Sequence, residues 1–255
     1  MPEPVSLYII AYQEAANLRE VLPTVLWADE VVVVDSFSTD DTAQVCAQFN
    51  VRHVNLPFHG FGRLRNEALA LLKHDWVVSI DSDERCTPEL AAEIRRELAA
   101  GPQFDAYHVP RKSYFLGRWM QHSGWYPDYR QPQFFNCKKM RYANDLVHES
   151  YELQGRLGYL CEHALQFPWP TLEVAIAKLH RYSTLMAQRY AEKKRRATPT
   201  RLLFSPMGMF LKVYFLKRGW RDGRHGFVLA VLYAYYTFLK YAKLWEQQQA
   251  PAGKL

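Results

Sequence analysis

Cysteine is scarce: Cys46, Cys86, Cys137 and Cys161 are the 4 in 255 residues, and they lie far apart, with no pair at metal-ligand spacing. A disulfide framework and a zinc module are therefore not expected, and the thiols read as reduced, structural groups of a cytosolic chain. Long apolar runs are also missing. The nearest approach, Phe227 to Leu239, covers 13 residues and stops at Lys240, short of the roughly 18 to 20 that a spanning helix needs. The N-terminal MPEPVSLYIIAYQEAANL has no basic lead and meets Gln13 and Glu14 almost at once, so a signal peptide is not expected and the chain should stay inside the cell. No Gly-rich phosphate loop and no Lys stand near the first strand, which weighs against the alternative of a metal-dependent nucleotidyltransferase or phosphohydrolase on a similar sheet. Repeats are absent too, and only the polar tail EQQQAPAGKL reads as frayed.

What is present is ample apolar material, 49% of the residues, enough for one large domain or a domain with an appendage. The apolar run from Val5 to Ile10 reads as a strand, and AYQEAANLREVLPTVL as a loop entering a helix. VVVVD, Val31 to Asp35, is a β-branched run of the kind buried on both faces of a parallel sheet. STDDTAQVCAQFN should be a helix with Ser38 or Thr39 as its cap. VRHVNL, GRLRNEALALLKH and WVVSID then give strand, helix and strand. TPELAAEIRREL is a helix capped by Thr87 with Pro88 in its first turn. This rhythm predicts an α/β fold with an open, mainly parallel sheet flanked by helices, whose ligands bind beyond the carboxyl ends of the strands, where Asp35 and Asp81 stand. Tyr107 to Tyr151 is rich in aromatics and Arg, and from about Thr171 the pattern turns helical and basic.

The stretch VVSIDSDERCTPEL crowds Asp81, Asp83 and Glu84 at the end of a buried-looking strand. Like charges this close repel, and a capping turn needs at most one of them. A cation should belong there, and paired carboxylates suit Mg²⁺ or Mn²⁺ held through one or two acids plus substrate phosphates. The plain alternative is a helix-capping loop.

Four motifs then occur in order over about 90 residues: Ala11-Tyr12-Gln13-Glu14, Asp35-Ser36-Phe37-Ser38-Thr39-Asp40, Arg65-Asn66 and Asp81-Ser82-Asp83. In these the chain resembles the inverting family 2 glycosyltransferases of GT-A fold, with Gln13 where Asn is usual and Ser36 and Phe37 departing from the common form. The variant loop and the later GWYPD resemble the branch that adds a β-linked glucose to the inner core of lipopolysaccharide. The resemblance implies a nucleotide diphosphate sugar donor, a UDP-sugar, and a lipid-linked or lipopolysaccharide acceptor. It assigns Tyr12, Glu14 and Asp35 to the base and ribose, Arg65 to the base or diphosphate, Asp81 to the ribose or metal, and Asp83 to the metal. His163 is a further metal candidate, with a structural role as the plainer reading.

An inverting displacement needs a base for the acceptor hydroxyl. Glu149 in LVHES stands where the family commonly has an acid, and Asp128 in GWYPD is the second candidate; His148 would orient Glu149 or meet substrate. Trp125 and Tyr126 could stack on a sugar or belong to the core, and Arg111 and Arg118 could meet an acidic acceptor.

Residues 1–170 are expected to form the catalytic domain, with 1–100 binding the nucleotide sugar and 101–170 the acceptor, followed by a helical region at 171–255. From Lys178 to Arg224 there are 13 Lys and Arg against Glu192 and Asp222 alone. Aromatic and aliphatic residues interleave with them, as in helices lying in a lipid interface. Peripheral binding to the anionic inner face of the cell membrane is expected. Nucleic acid fits less well because the aromatics sit among aliphatics, and a homo-oligomer interface is the third option. A non-catalytic adaptor would need the carboxylates only as caps.

Overall fold

The computed structural model describes residues 3–143 and 150–249. Among them the strands are β1 (Val5–Ala11), β2 (Glu30–Asp35), β3 (Arg52–Asn55), β4 (Trp76–Ser79), β5 (Glu84–Cys86), β6 (Ala106–His108), β7 (Arg111–Phe115), β8 (Arg118–Trp119), β9 (Phe134–Asn136), β10 (Met140–Tyr142), β11 (Tyr151–Leu153), β12 (Leu157–Tyr159) and β13 (Ala164–Trp169). The helices are α1 (Ala15–Val21), α2 (Thr42–Gln48), α3 (Phe61–Leu69), α4 (Pro88–Ala100), α5 (Leu172–Glu192), α6 (Pro199–Leu211) and α7 (Gly223–Gln249). The chain divides into two compact units: residues 1–111 with 128–166, and residues 112–127 with 167–255.

The first unit is built on a sheet in the order β12-β6-β9-β4-β1-β2-β3. β1 is parallel to both β2 and β4, and β2 to β3. β9 runs antiparallel to β4 and to β6, so β6 and its parallel neighbour β12 point the same way as β4. The carboxyl ends of six strands therefore share one edge, with Asp35, Ile80-Asp81, His108 and Tyr159 along it. Both sheet faces are covered, as the β-branched runs predict. Leu7, Ile9, Val33, Val78 and Phe134 pack with Leu18, Val21, Leu90 and Ile94. On the other face Tyr8, Val32, Val34, Val77 and Phe135 pack with Leu64 and Ala68 of α3 and with Tyr142.

One capping expectation changes. α2 begins at Thr42 with Asp41 as its unbonded cap. Ser38 instead donates to Asp35 Oδ1 at 2.5 Å and accepts from the Gln13 amide at 2.7 Å, because a short hydroxyl near a strand end finds nearer partners than a helix four residues on. Thr87 does cap α4, accepting from the Leu90 amide at 3.1 Å.

The second unit takes in residues 112–127, which the sequence placed with the catalytic half. The cause is apolar: Phe115, Met120 and Trp125 pack with Trp169, Leu179 of α5 and Leu229 and Leu232 of α7. Gly226 allows this unit to close, since a Cβ there would stand 1.9 Å from the carbonyl oxygen of Gly219. α6 contributes no buried residue. No helix of the described residues is long and apolar enough to cross a membrane. All four cysteines are free.

Candidate active site

The carboxylate turn follows β4 at the carboxyl edge of the sheet, and the cations that meet it are first of all the protein's own. Arg65 rises from α3, only 3% exposed. Its Nη2 donates to Asp81 Oδ1 at 2.8 Å and its Nη1 to Ser79 Oγ at 2.8 Å. Tyr8 and Tyr142 lie behind it, sharing a hydrogen bond of 3.0 Å between their hydroxyls, with Arg65 also over the Tyr142 ring. Burial alone would raise the Asp81 pKa, but the guanidiniums of Arg65, Arg111 and Arg130 hold it below the usual value.

Glu84 turns inward and is fully buried. It accepts from Arg111 Nε at 2.5 Å, from Gln133 Nε2 at 2.7 Å and from the Asp81 amide at 3.0 Å. Burial pushes its pKa up to about 7, against the pull of Arg111 and with the neighbouring Asp81 and Asp83 adding to the rise. Arg111 continues through Nη1 to the Asp128 carbonyl at 2.9 Å. Arg111 is thus an interior partner of Glu84, where the sequence had it available to an acidic acceptor. Arg85 braces the turn by donating to the carbonyls of Ser82 and Glu84.

Asp81 and Asp83 remain as the carboxylates of the turn at which a ligand cation could sit. Among the described residues no group of three or more His, Cys, Asp or Glu side chains is placed to hold a metal. His163 therefore does not join the two acids in such a cluster; its carbonyl accepts from Thr87 Oγ1 at 2.9 Å. Two carboxylates without a third side chain fit a hard cation that keeps waters and takes diphosphate oxygens for the rest of its shell.

Of the nucleotide candidates, Tyr12 is exposed just past β1. Glu14 precedes α1 and accepts from Asn17 Nδ2 at 2.5 Å. Asp35 is buried, with Oδ1 held by Ser38 and Oδ2 at 3.1 Å from His53 Nε2, so it orders the loop after β2. Phe37 in that loop is exposed with φ of 61°, an uncommon backbone for a bulky residue. The structure thus brings Arg65 and Asp81 into contact and ties Asp128 to Glu84 through Arg111. Asp128 also pairs with Arg130 Nε at 2.9 Å. His148 and Glu149 lie outside the described residues. Trp125, in the second unit, is an interior residue only 9% exposed, donating through Nε1 to the Tyr233 hydroxyl at 2.8 Å. Tyr126, exposed, meets Trp119 edge to face.

Sequence reasoning passed over Glu84 as an interior acid, along with Gln133, Ser79 and Tyr142. A polar residue inside an apolar stretch, such as Ser79 in WVVSI or Gln133 before FFN, was the available signal.

An open, mainly parallel α/β sheet with acids and a buried Arg at its carboxyl edge is an arrangement of the GT-A type. Solved structures of Staphylococcus aureus TarS have this fold: residues 1–349 match at a TM-score of 0.50 and 17% identity, over 98% of this chain and 93% of that one. The same protein in complex with UDP-GlcNAc gives 0.51 and 16%, over 96% and 91%. The profile of glycosyl transferase family 2 matches residues 6–149, and the chain belongs to that family and is a glycosyltransferase. It is 30% identical to the lipopolysaccharide core biosynthesis glycosyltransferase LpsC of Rhizobium meliloti, over 98% of this chain and 94% of that protein. It is 29% identical to an uncharacterized glycosyltransferase of Rickettsia felis, over 96% and 90%.

Proposed function

We propose that this glycosyltransferase moves a hexose, glucose, from a UDP-sugar to a lipopolysaccharide-core or other lipid-linked glycan, with inversion and dependence on Mg²⁺ or Mn²⁺. The observation that carries the reading is the Arg65–Asp81 pair, which holds the Asp81-Ser82-Asp83 turn at the carboxyl edge of the sheet. The acceptor class is supported by the likeness to LpsC, and glucose by the GWYPD segment. A divalent cation bound through Asp83 and Asp81 would neutralise charge on the departing diphosphate. Arg65 keeps Asp81 oriented towards the ribose. Glu149 takes the proton of the acceptor hydroxyl as that hydroxyl's oxygen bonds to the anomeric carbon and the diphosphate departs from the opposite face; Asp128 is the second candidate for the base. The test is incubation with a panel of nucleotide sugars, Mn²⁺ and extracted glycolipid. Transfer predicts nucleotide diphosphate release together with labelled lipid, and label in neither would overturn it.

We also propose that the second unit attaches to an anionic lipid surface, the inner face of the cell membrane. α6 buries nothing, and Leu203, Phe204, Met207, Leu211, Phe215 and Leu216 are exposed on it and just after it, Leu216 by 80%. Lys212, Lys217, Arg218 and Arg221 interleave with these apolar groups. An apolar surface fringed by cations matches the headgroup boundary of such a membrane.

A further inference from the structure

At the same edge of the sheet, but on its far side from β2, four rings gather in the first unit. His108 closes β6 and Tyr159 closes β12, in register with each other. Their rings stack at 5.4 Å and 28°. Tyr129 stands edge-on to Tyr159 at 5.1 Å and 5.5 Å from His108, and Tyr151 stands edge-on to His108 at 6.2 Å. His108 is buried, whereas Tyr159 is 58% exposed and Tyr129 40%. Although it stacks on His108 and meets Tyr129, Tyr159 keeps more than half of its surface open to solvent. Tyr151 and His108 join the group to the core, while Tyr129 and Tyr159 form its exposed side.

Their position matters as much as their exposure. Side chains alternate along a strand. His108 is two residues from Ala106, and Ser79 two from Val77; Ala106 and Val77 pack on the same sheet face as Leu64 of α3. His108 and Tyr159 therefore lie on the face from which Arg65 reaches Ser79 and Asp81. At about 4.8 Å between strands, β6 and β12 stand about 10 and 14 Å from β4. The loop carrying Tyr129 is fixed to the carboxylate turn by Arg111, which bonds Glu84 with one nitrogen and the Asp128 carbonyl with another. Burial, with the charge of Arg111 beside it, holds the His108 pKa below its ordinary value, so its ring backs the stack as a neutral group.

Exposed, pre-stacked aromatic faces are what the C–H face of a pyranose ring packs against, and rigid rings lose little entropy in doing so. We propose that Tyr129 and Tyr159, backed by His108 and Tyr151, form a stacking platform for a sugar ring of the acceptor glycan. This rests on the glycosyl-transfer reading above and names where its acceptor lies. A donor sugar would instead sit at the carboxylate turn, two to three strands away.

The test uses the full chain and deacylated lipopolysaccharide core oligosaccharide as probe, in wild type, Tyr129→Ala, Tyr159→Ala and Tyr159→Phe. Binding is followed by saturation-transfer NMR without donor, and transfer by initial rates. Each Ala variant is expected to weaken oligosaccharide binding and raise acceptor KM by about tenfold, the scale of one lost aromatic contact. Donor KM and acceptor-independent release of nucleotide diphosphate should not move, and Tyr159→Phe should behave as wild type. Unchanged binding in both Ala variants, no binding by wild type, a shift in donor KM instead, or a Phe variant as weak as Ala would overturn the platform. Binding that depends on Tyr159 in a protein releasing no nucleotide diphosphate from any nucleotide sugar would leave the platform standing and remove the transfer reading.

Discussion

Three acids within four positions repel one another unless neighbouring cations separate them, and here two different arginines take the outer two. Asp81 goes to Arg65 and Glu84 to Arg111; Asp83 stands between them in the turn. Asp83→Asn should therefore abolish metal-dependent nucleotide-sugar binding with little effect on folding, because the loop acid contributes nothing to the apolar clusters. Calorimetry with and without Mn²⁺ checks this, and an affinity that ignores Mn²⁺ in both proteins contradicts it. For the base, Glu149→Gln should lose about 10² to 10⁴ in rate while retaining donor binding. Normal turnover by that variant and a dead Asp128→Asn would move the role to Asp128. The sequence made Asp81 and Arg65 legible as site residues because both fall in recognisable motifs. It could not show that Glu84 points inward, since its partner Arg111 is 27 residues away and nothing local encodes the pairing. Trp125 illustrates the converse: its indole reads equally well as ligand platform or core until Tyr233 and Trp169 are placed around it.

Apart from the three-residue β5, the strands and helices of the first 100 residues follow from periodicity, because buried strands leave continuous β-branched runs and the intervening helices keep a single apolar stripe. The short strands after Ala106 are not legible in this way. Three residues carry too little pattern, and their pairing is set by distant partners, as Phe134 is by Val78 and Tyr107. One polar residue fastens the legible part. Glu30, at the start of β2, is buried and accepts from Ser6 Oγ at 2.6 Å and the Lys73 amide at 2.7 Å, with Arg52 Nη1 at 3.4 Å. Burial would raise its pKa, but the hydrogen bonds from Ser6 and Lys73 and the charges of Lys73 and Arg52 prevail and lower it from 4.5. A lowered carboxylate stabilises the fold above its unfolded pKa, and that contribution is lost as pH falls through the folded value. Glu30→Ala should cost about 2–3 kcal/mol at neutral pH, the scale of hydrogen bonds to a charged group. Urea melts should show the gap from wild type narrowing below pH 4.5; a gap constant with pH would contradict it.

For the molecule as a whole, the basic, aromatic C-terminal region was legible in composition, and the exposed apolar residues of α6 are the ones on which the proposed membrane attachment rests. Replacing Lys212, Lys217, Arg218 and Arg221 with Gln should weaken binding to anionic vesicles. High salt should weaken the parent only in part, since screening acts on charge and leaves apolar burial intact. Transfer to a soluble acceptor fragment should survive the change while transfer to membrane-embedded acceptor falls. Equal binding of parent and variant to neutral and anionic vesicles would contradict this. The division of the chain was not legible, because no local pattern links residues 112–127 to helices about 100 residues further on. That interleaving also dictates an order of events at the ribosome. Phe115 and Trp125 emerge roughly 100 residues before Leu229 and Leu232, the α7 residues that bury them, a wait of about 5 to 20 s at ordinary rates of synthesis. Until α7 arrives the aromatic segment has only the Trp169 and α5 side of its cluster to pack on. A nascent chain stalled near residue 200 should therefore be open to protease between Lys112 and Pro127, and the finished protein closed there.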